Sequence, residues 1–133
     1  MAETIEKRVY DLEERLINFA VMILNLTEKL PNDAGAKHLG GQLNRSGTSP
    51  ALNYGEAQGG ESDADFLHKI KVCLKELRES QVTLKIIHRK PYLQENIVNP
   101  VLKECGELVA IFTTIAKSTK SRIENLGKPP ENK

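Results

Sequence analysis

The sequence predicts an all-α protein, an antiparallel up-down four-helix bundle. Three observations carry that reading. Apolar residues recur three and four apart over most of the chain, no stretch shows the alternation of a strand, and the links between periodic stretches are short. The 133 residues suit one domain, and 39% apolar content is enough for a shared core. Tryptophan is absent and aromatics make up 5%, so the core is aliphatic.

The first helix is expected over about 3–30. Ile5, Val9, Leu12, Leu16, Phe19, Ile23, Leu26 and Leu30 form a heptad seam, and Pro31-Asn32-Asp33 ends it with a cap for the next helix. The second is expected over 34–57, closed by Gly59-Gly60, although Gly40, Gly41, Gly47, Pro50 and Gly55 each weaken a helix interior. Ser62 or Asp63 caps a third helix over 63–89. Its seam is Phe66, Ile70, Cys73, Leu77, Leu84 and Ile87, with Ser80 as one polar step, and Pro91 breaks it. A fourth helix over 100–126 follows the connection PYLQENIVNP, with a seam through Leu102, Cys105, Val109, Phe112, Ala116, Thr119, Ile123 and Leu126. These helices make one domain over 1–127, and the Pro-rich tail 128–133 is expected to fray.

A second apolar stripe, Tyr10, Ile17, Val21 and Leu24, lies almost opposite the first helix's seam. The third helix repeats the feature toward its end with Val82, Ile86 and Leu93. One bundle cannot bury both faces, so these residues are expected to form an interface in a homo-oligomer. Charge is also uneven. Residues 1–66 hold 6 Lys/Arg against 11 Asp/Glu, and residues 67–133 hold 13 against 7, an asymmetry that a head-to-tail neighbour could use.

On the second helix the face that should be buried turns polar. Ser46, Ser49, Asn53 and Glu56 stand three and four apart, with Pro50 among them. Pro50 cannot donate to the carbonyl of Ser46, which leaves backbone oxygens in need of partners. Arg45, Ser46, Ser49, Asn53 and Glu56 are therefore expected to form a buried structural network, with Glu56 the buried acid and Arg45 or a backbone donor its partner.

Chemical sites are not apparent. The Gly-rich stretch lacks the Gly-Lys-Ser/Thr ending of a phosphate loop, and no strand precedes it. His38, His68 and His88 stand apart, so no metal is expected. Cys73 and Cys105 fall on seams and read as inert core thiols. No serine or cysteine has a recognisable base, so no catalytic residue or cofactor is expected and the protein reads as no enzyme. No apolar run approaches a membrane span, and the charged opening MAETIEKRVYDLEER is no signal peptide, so no membrane contact and a cytoplasmic setting are expected. The best nucleic-acid candidate is Lys85, His88, Arg89 and Lys90 with Tyr92, with Lys117, Lys120 and Arg122 added from the fourth helix. Such cations neutralise phosphates and an aromatic stacks on an unpaired base.

The segments LGGQLNRSGTSPALNYGEA and ADFLHKIKVCLKELRES resemble the four-helix bundle proteins encoded in intervening sequences of bacterial 23S rRNA genes. The pattern falls on Gln42, Leu43, Arg45, Ser46, Ser49, Asn53 and Glu56. The stretch ECGELVAIFTTIAKS, with Glu104, Cys105, Glu107 and Leu108, is similar to that family's last helix. The resemblance implies a ring of five subunits, a binding or scaffold role and an RNA-related context. It extends to the more basic accessory proteins of diversity-generating retroelements, which implies the alternative of a reverse-transcriptase accessory protein that binds protein and nucleic acid.

Overall fold

The computed structural model describes residues 2–59 and 62–127, with side chains described for 11–59 and 62–126. Four helices, α1 (Ala2–Thr27), α2 (Ala34–Gln58), α3 (Asp63–Arg89) and α4 (Glu95–Gly127), make an all-α fold, with no strand among the described residues. The tail 128–133 lies outside the described residues. α2 packs against α1 and α3, and α4 packs against α3 and, less extensively, α1. The backbones of α1 and α3 do not approach each other closely, so these helices stand diagonally across the core in a packing consistent with a bundle.

Sequence chemistry sets the helix ends. Beyond Thr27 the amides of Lys29 and Leu30 donate to Leu26 and Thr27 at 3.0 and 3.1 Å, three residues back, so α1 tightens and stops short of Leu30. Asp33 caps α2 by accepting from the Ala36 amide at 2.9 Å, and Ser62 caps α3 by accepting from Asp65 at 3.1 Å. Asp63 and Asp65 lie in the first turn of α3 and His88 and Arg89 in its last, each sign favourable to the helix dipole.

α4 departs from expectation by beginning at Glu95 rather than Pro100. Pro100 lacks only the donor to the carbonyl of Asn96, which is exposed and open to water, so the early proline is tolerated. The extra turn brings Val98 into the core, where Val101, Cys105, Leu108 and Phe112 are also buried. The expected seam residues Leu102 and Val109 are instead only half-buried, and Leu126 is exposed. Along α1 the seam holds: Leu12, Leu16, Phe19, Ile23 and Leu26 are buried, while Ile5 and Val9 lie outside the described side chains. Tyr54 of α2 meets Phe112 of α4 edge-on, ring centroids 5.8 Å apart, so aromatic contact closes the centre.

α2 remains helical through Pro50, which is buried. The Cys73 thiol donates to the Pro50 carbonyl at 3.5 Å, and Cys105 donates to that of Leu77 at 3.3 Å. Both cysteines are free and buried.

Candidate functional site

The polar face of α2 separates into a buried centre and a wet flank. At the centre Ser46 and Ser80, 1% and 0% exposed, share a hydrogen bond of 2.8 Å between α2 and α3. Each hydroxyl satisfies the other where an apolar pair would otherwise sit. Below them Asn53 is half-buried, and its amide nitrogen donates to the carbonyl and hydroxyl of Ser49 at 3.1 and 2.8 Å. Those bonds stay within α2, one of them on the carbonyl that precedes Pro50, so Asn53 finds its partners beside the proline and not on a neighbouring helix.

Glu56 is not the buried acid. Its side chain is 62% exposed and takes the Lys69 ammonium at 2.6 Å. The acid that is buried is Glu76 of α3, at 7% exposure, held by Arg45 at 3.0 Å while the same guanidinium reaches Glu79 at 3.2 Å. Helix geometry decides against an Arg45–Glu56 pair: eleven residues at ~1.5 Å per residue put them about 16 Å apart along one axis, beyond side-chain reach. The signal for Glu76 was available, since it stands three residues after Cys73 and four before Ser80, on the edge of the α3 seam.

α1 and α4 are joined by a second ionic cluster. Arg15 bonds Glu104 at 2.7 and 3.0 Å and Glu107 at 3.4 Å. The bond to Glu104 chiefly raises the Arg15 pKa above its ordinary value. Burial pushes the Tyr54 hydroxyl up, and it pushes both thiols up to about 12. A thiol so placed stays protonated and is no nucleophile at neutral pH.

The basic residues do not gather into one patch. Lys85, Arg89 and Lys90 are exposed at the end of α3, with His88 half-buried 3.5 Å from Glu95. Tyr92 is half-buried against the core, with the Lys90 ammonium 5.5 Å from its ring centre. Its ring is thus engaged by the connection to α4. Lys117 and Lys120 are exposed near the end of α4, where Arg122 bonds Asp63 at 2.9 and 3.3 Å. Asp63 opens α3 and Arg89 closes it, roughly 39 Å apart at ~1.5 Å per residue, so the α4 cations belong to the opposite end.

Among the outward apolar residues five stand in two sets, while Leu52 on α2 and Leu126 on α4, 71% and 74% exposed, stand alone. Ile17, Val21 and Leu24 are 43%, 50% and 41% exposed on α1, and Val82 and Ile86 are 57% and 46% exposed on α3. Leu93 does not join the second set, because the turn after α3 folds it against the core, where it is half-buried. The side chain of Tyr10 lies outside the described residues. Beside Val82 and Ile86 an open groove of about 1050 Å³ runs between α2 and α3, with Leu39, Gln42 and Arg45 on one wall and Lys75 and Arg78 on the other. Among the described residues no group of three His, Cys, Asp or Glu could hold a metal ion, and no helix is long and apolar enough to cross a membrane.

Comparison with known proteins places this architecture. No match is found among curated proteins. Among solved structures, a protein of unknown function from the S23 ribosomal protein family of Bacteroides thetaiotaomicron VPI-5482 is 30% identical. The match covers 80% of this chain and 98% of that one, with a TM-score of 0.74. The sequence profile of the 23S rRNA-intervening sequence proteins matches residues 8–114, which takes in α2 and α3 and most of α1 and α4, so the chain belongs to the 23S rRNA-intervening sequence protein family.

Proposed function

We propose that the protein is a non-enzymatic scaffold or binding protein of the cytoplasm, built as an antiparallel up-down bundle that assembles into a ring of identical subunits, five by family resemblance. One observation carries the reading. Five large apolar side chains, 41% to 57% exposed, stand on two helices that lie diagonally across the core. Scattered exposed apolar residues are ordinary, but two sets on diagonal helices give one subunit two separate adhesive faces. The antiparallel arrangement is supported by pairings that rise along one helix as they fall along the next: Ser46 with Ser80 and Glu56 with Lys69, then Leu77 with Cys105 and Asp63 with Arg122. The protonated, buried thiols favour a role without covalent chemistry.

Light scattering at micromolar concentration tests this. A mass that is a multiple of 14.8 kDa is expected, falling to 14.8 kDa when Ile17 and Leu24 are both changed to Glu while helical circular dichroism persists. A wild-type mass of 14.8 kDa refutes the reading.

RNA contact is a second reading, favoured by the exposure of Lys85, Arg89 and Lys90, which make no ion pair among the described residues. A ring repeats such cations and adds weak contacts together. Fluorescence anisotropy should show binding that weakens steeply with salt, and Arg89→Ala with Lys90→Ala should reduce it for every sequence. Absence of binding at low salt leaves the cations as favourable helix-end charges.

A further inference from the structure

The two adhesive faces carry opposite charge. On α1, Glu14, Ile17, Val21, Leu24 and Glu28 follow one another at spacings of three, four, three and four residues, just past the helix end at Glu28. The strip is apolar in the middle and acidic at both ends. On α3, Lys75, Arg78, Val82, Lys85 and Arg89 repeat the same spacings in the same order, with Ile86 beside them. That strip is apolar around Val82 and basic at both ends. Each covers fourteen residue steps, about 21 Å of helix at ~1.5 Å per residue, so the charged ends of one match those of the other.

The charges are available for a partner. Glu28, Lys75, Arg78, Lys85 and Arg89 are exposed and Glu14 is half-exposed, and none makes an ion pair among the described residues. Three of the four α3 acids are engaged elsewhere, Glu76 and Glu79 on Arg45 and Asp63 on Arg122, and the fourth, Asp65, lies in the first turn, ten residues before Lys75. The outward face of α3 is therefore left with cations only around its apolar centre.

We propose that the α1 strip of one subunit docks onto the α3 strip, along the α2–α3 groove, of a second copy of this chain. This rests on the self-association proposed above and adds which faces meet. An α1–α1 contact sets Glu against Glu, and an α3–α3 contact sets cation against cation; only α1 on α3 joins opposite charges around an apolar centre. Matching three-and-four spacings also let the ridges of one helix lie between those of the other, and the groove of about 1050 Å³ gives the incoming helix a seat. Because α1 and α3 are diagonal, one subunit uses both faces at once, on opposite sides. The contact is heterologous, and its repetition closes a ring or propagates a filament.

Charge reversal on the full chain tests the pairing by light scattering, with circular dichroism as the check on folding. Glu14→Lys with Glu28→Lys makes both strips basic at their outermost positions, and Lys75→Glu with Arg89→Glu makes both acidic there, with Arg78 and Lys85 left in place. Each pair of changes should reduce the mass to 14.8 kDa at micromolar concentration, and the chain carrying all four should reassemble. Wild-type assembly should weaken as salt rises, a measurement that needs no variant. A monomeric wild type sinks the self-association reading and the pairing together. An assembled wild type whose mass survives both reversals overturns the pairing alone, as does a four-fold variant that stays monomeric. Loss of RNA binding on changing Lys75 and Arg89, with the mass unchanged, overturns it in favour of RNA on the α3 strip.

Discussion

Gly47→Ala should destabilise the protein although it replaces the poorest ordinary helix former with the best. Gly47 is buried in α2 where that helix crosses α1. A Cβ there would lie 2.6 and 2.8 Å from the two γ carbons of Ile23 and 3.1 Å from its β carbon. Carbon atoms rest about 3.5–4.0 Å apart, so all three contacts must open by roughly half an ångström or more. Ile23 is 0% exposed and branched at Cβ, so it has no room and essentially one helical rotamer, and its Cβ moves only with the backbone of α1. Overpacking of this kind costs about 1–3 kcal/mol, against ~1 kcal/mol gained in helix propensity. The rigid Cβ contact points to the upper part of that range, so a net loss of about 1–2 kcal/mol is expected. Gly41 and Gly55 supply the control, since a Cβ on either meets nothing within 4 Å. There the same change should stabilise by roughly 0.5–1 kcal/mol. Urea midpoints at one protein concentration measure all three, because the proposed assembly would make stability depend on concentration. Pairing Gly47→Ala with Ile23→Ala should cost less than the sum of the two, the new methyl filling part of the cavity. If Gly47→Ala stabilises as much as Gly41→Ala, or adds to Ile23→Ala without coupling, the close approach of α1 and α2 is refuted.

Ser46→Ala and Ser80→Ala should each cost about 1–2 kcal/mol by orphaning a buried hydroxyl, and the double variant should cost less than their sum in denaturant melts. Asn53→Ala should cost under about 1 kcal/mol, since its bonds run to Ser49 on its own helix and alanine favours the helix; a loss like that of Ser46→Ala would contradict this. Both thiols are raised from 9.0 to about 12 in the fold, so the unfolded chain ionises them first as pH rises. Their contribution is full below 9.0 and drains away toward about 12, by up to roughly 4 kcal/mol per thiol. Wild type should therefore lose more stability than Cys73→Ala with Cys105→Ala between about pH 8 and pH 11, and parallel losses would refute the cause.

What could be read from the residues depended on whether a neighbour had to be known. The α1 seam is apolar at every step, and periodicity alone places its buried side. Family membership was likewise legible in the Gln42–Glu56 pattern. The start of α4 was not, because Pro100 reads as a boundary, and only its position near the helix start with an exposed carbonyl behind it makes it harmless. Spacing put Ser46, Asn53 and Glu56 on one face, but a face is wide. Ser46 meets Ser80 at its centre, while Glu56, at its margin, reaches water and Lys69. The same gap in knowledge merged two basic groups that lie at opposite ends of α3. Lys75 and Arg78 carry no local signal of their own, because their meaning comes from the outward strip they flank.

The uneven charge along the chain gains its meaning from connectivity. An acidic first half and a basic second half cancel nearly to +1 and need have no spatial consequence. In a four-helix packing where each helix touches its sequence neighbours, however, the first and third helices become diagonal. The acid-ended strip of α1 and the base-ended strip of α3 then face away from each other, and a difference along the sequence becomes a polarity across the molecule. Within one subunit those charges are too far apart to satisfy each other. The α2–α3 interface meanwhile is held by a buried serine pair and by Arg45 on Glu76, which use up the α3 acids that could otherwise have neutralised the outward cations. The residues that fix the inside of the bundle thus leave its two outer faces complementary in sign, and under the proposed pairing a second copy of the chain supplies both missing signs at once.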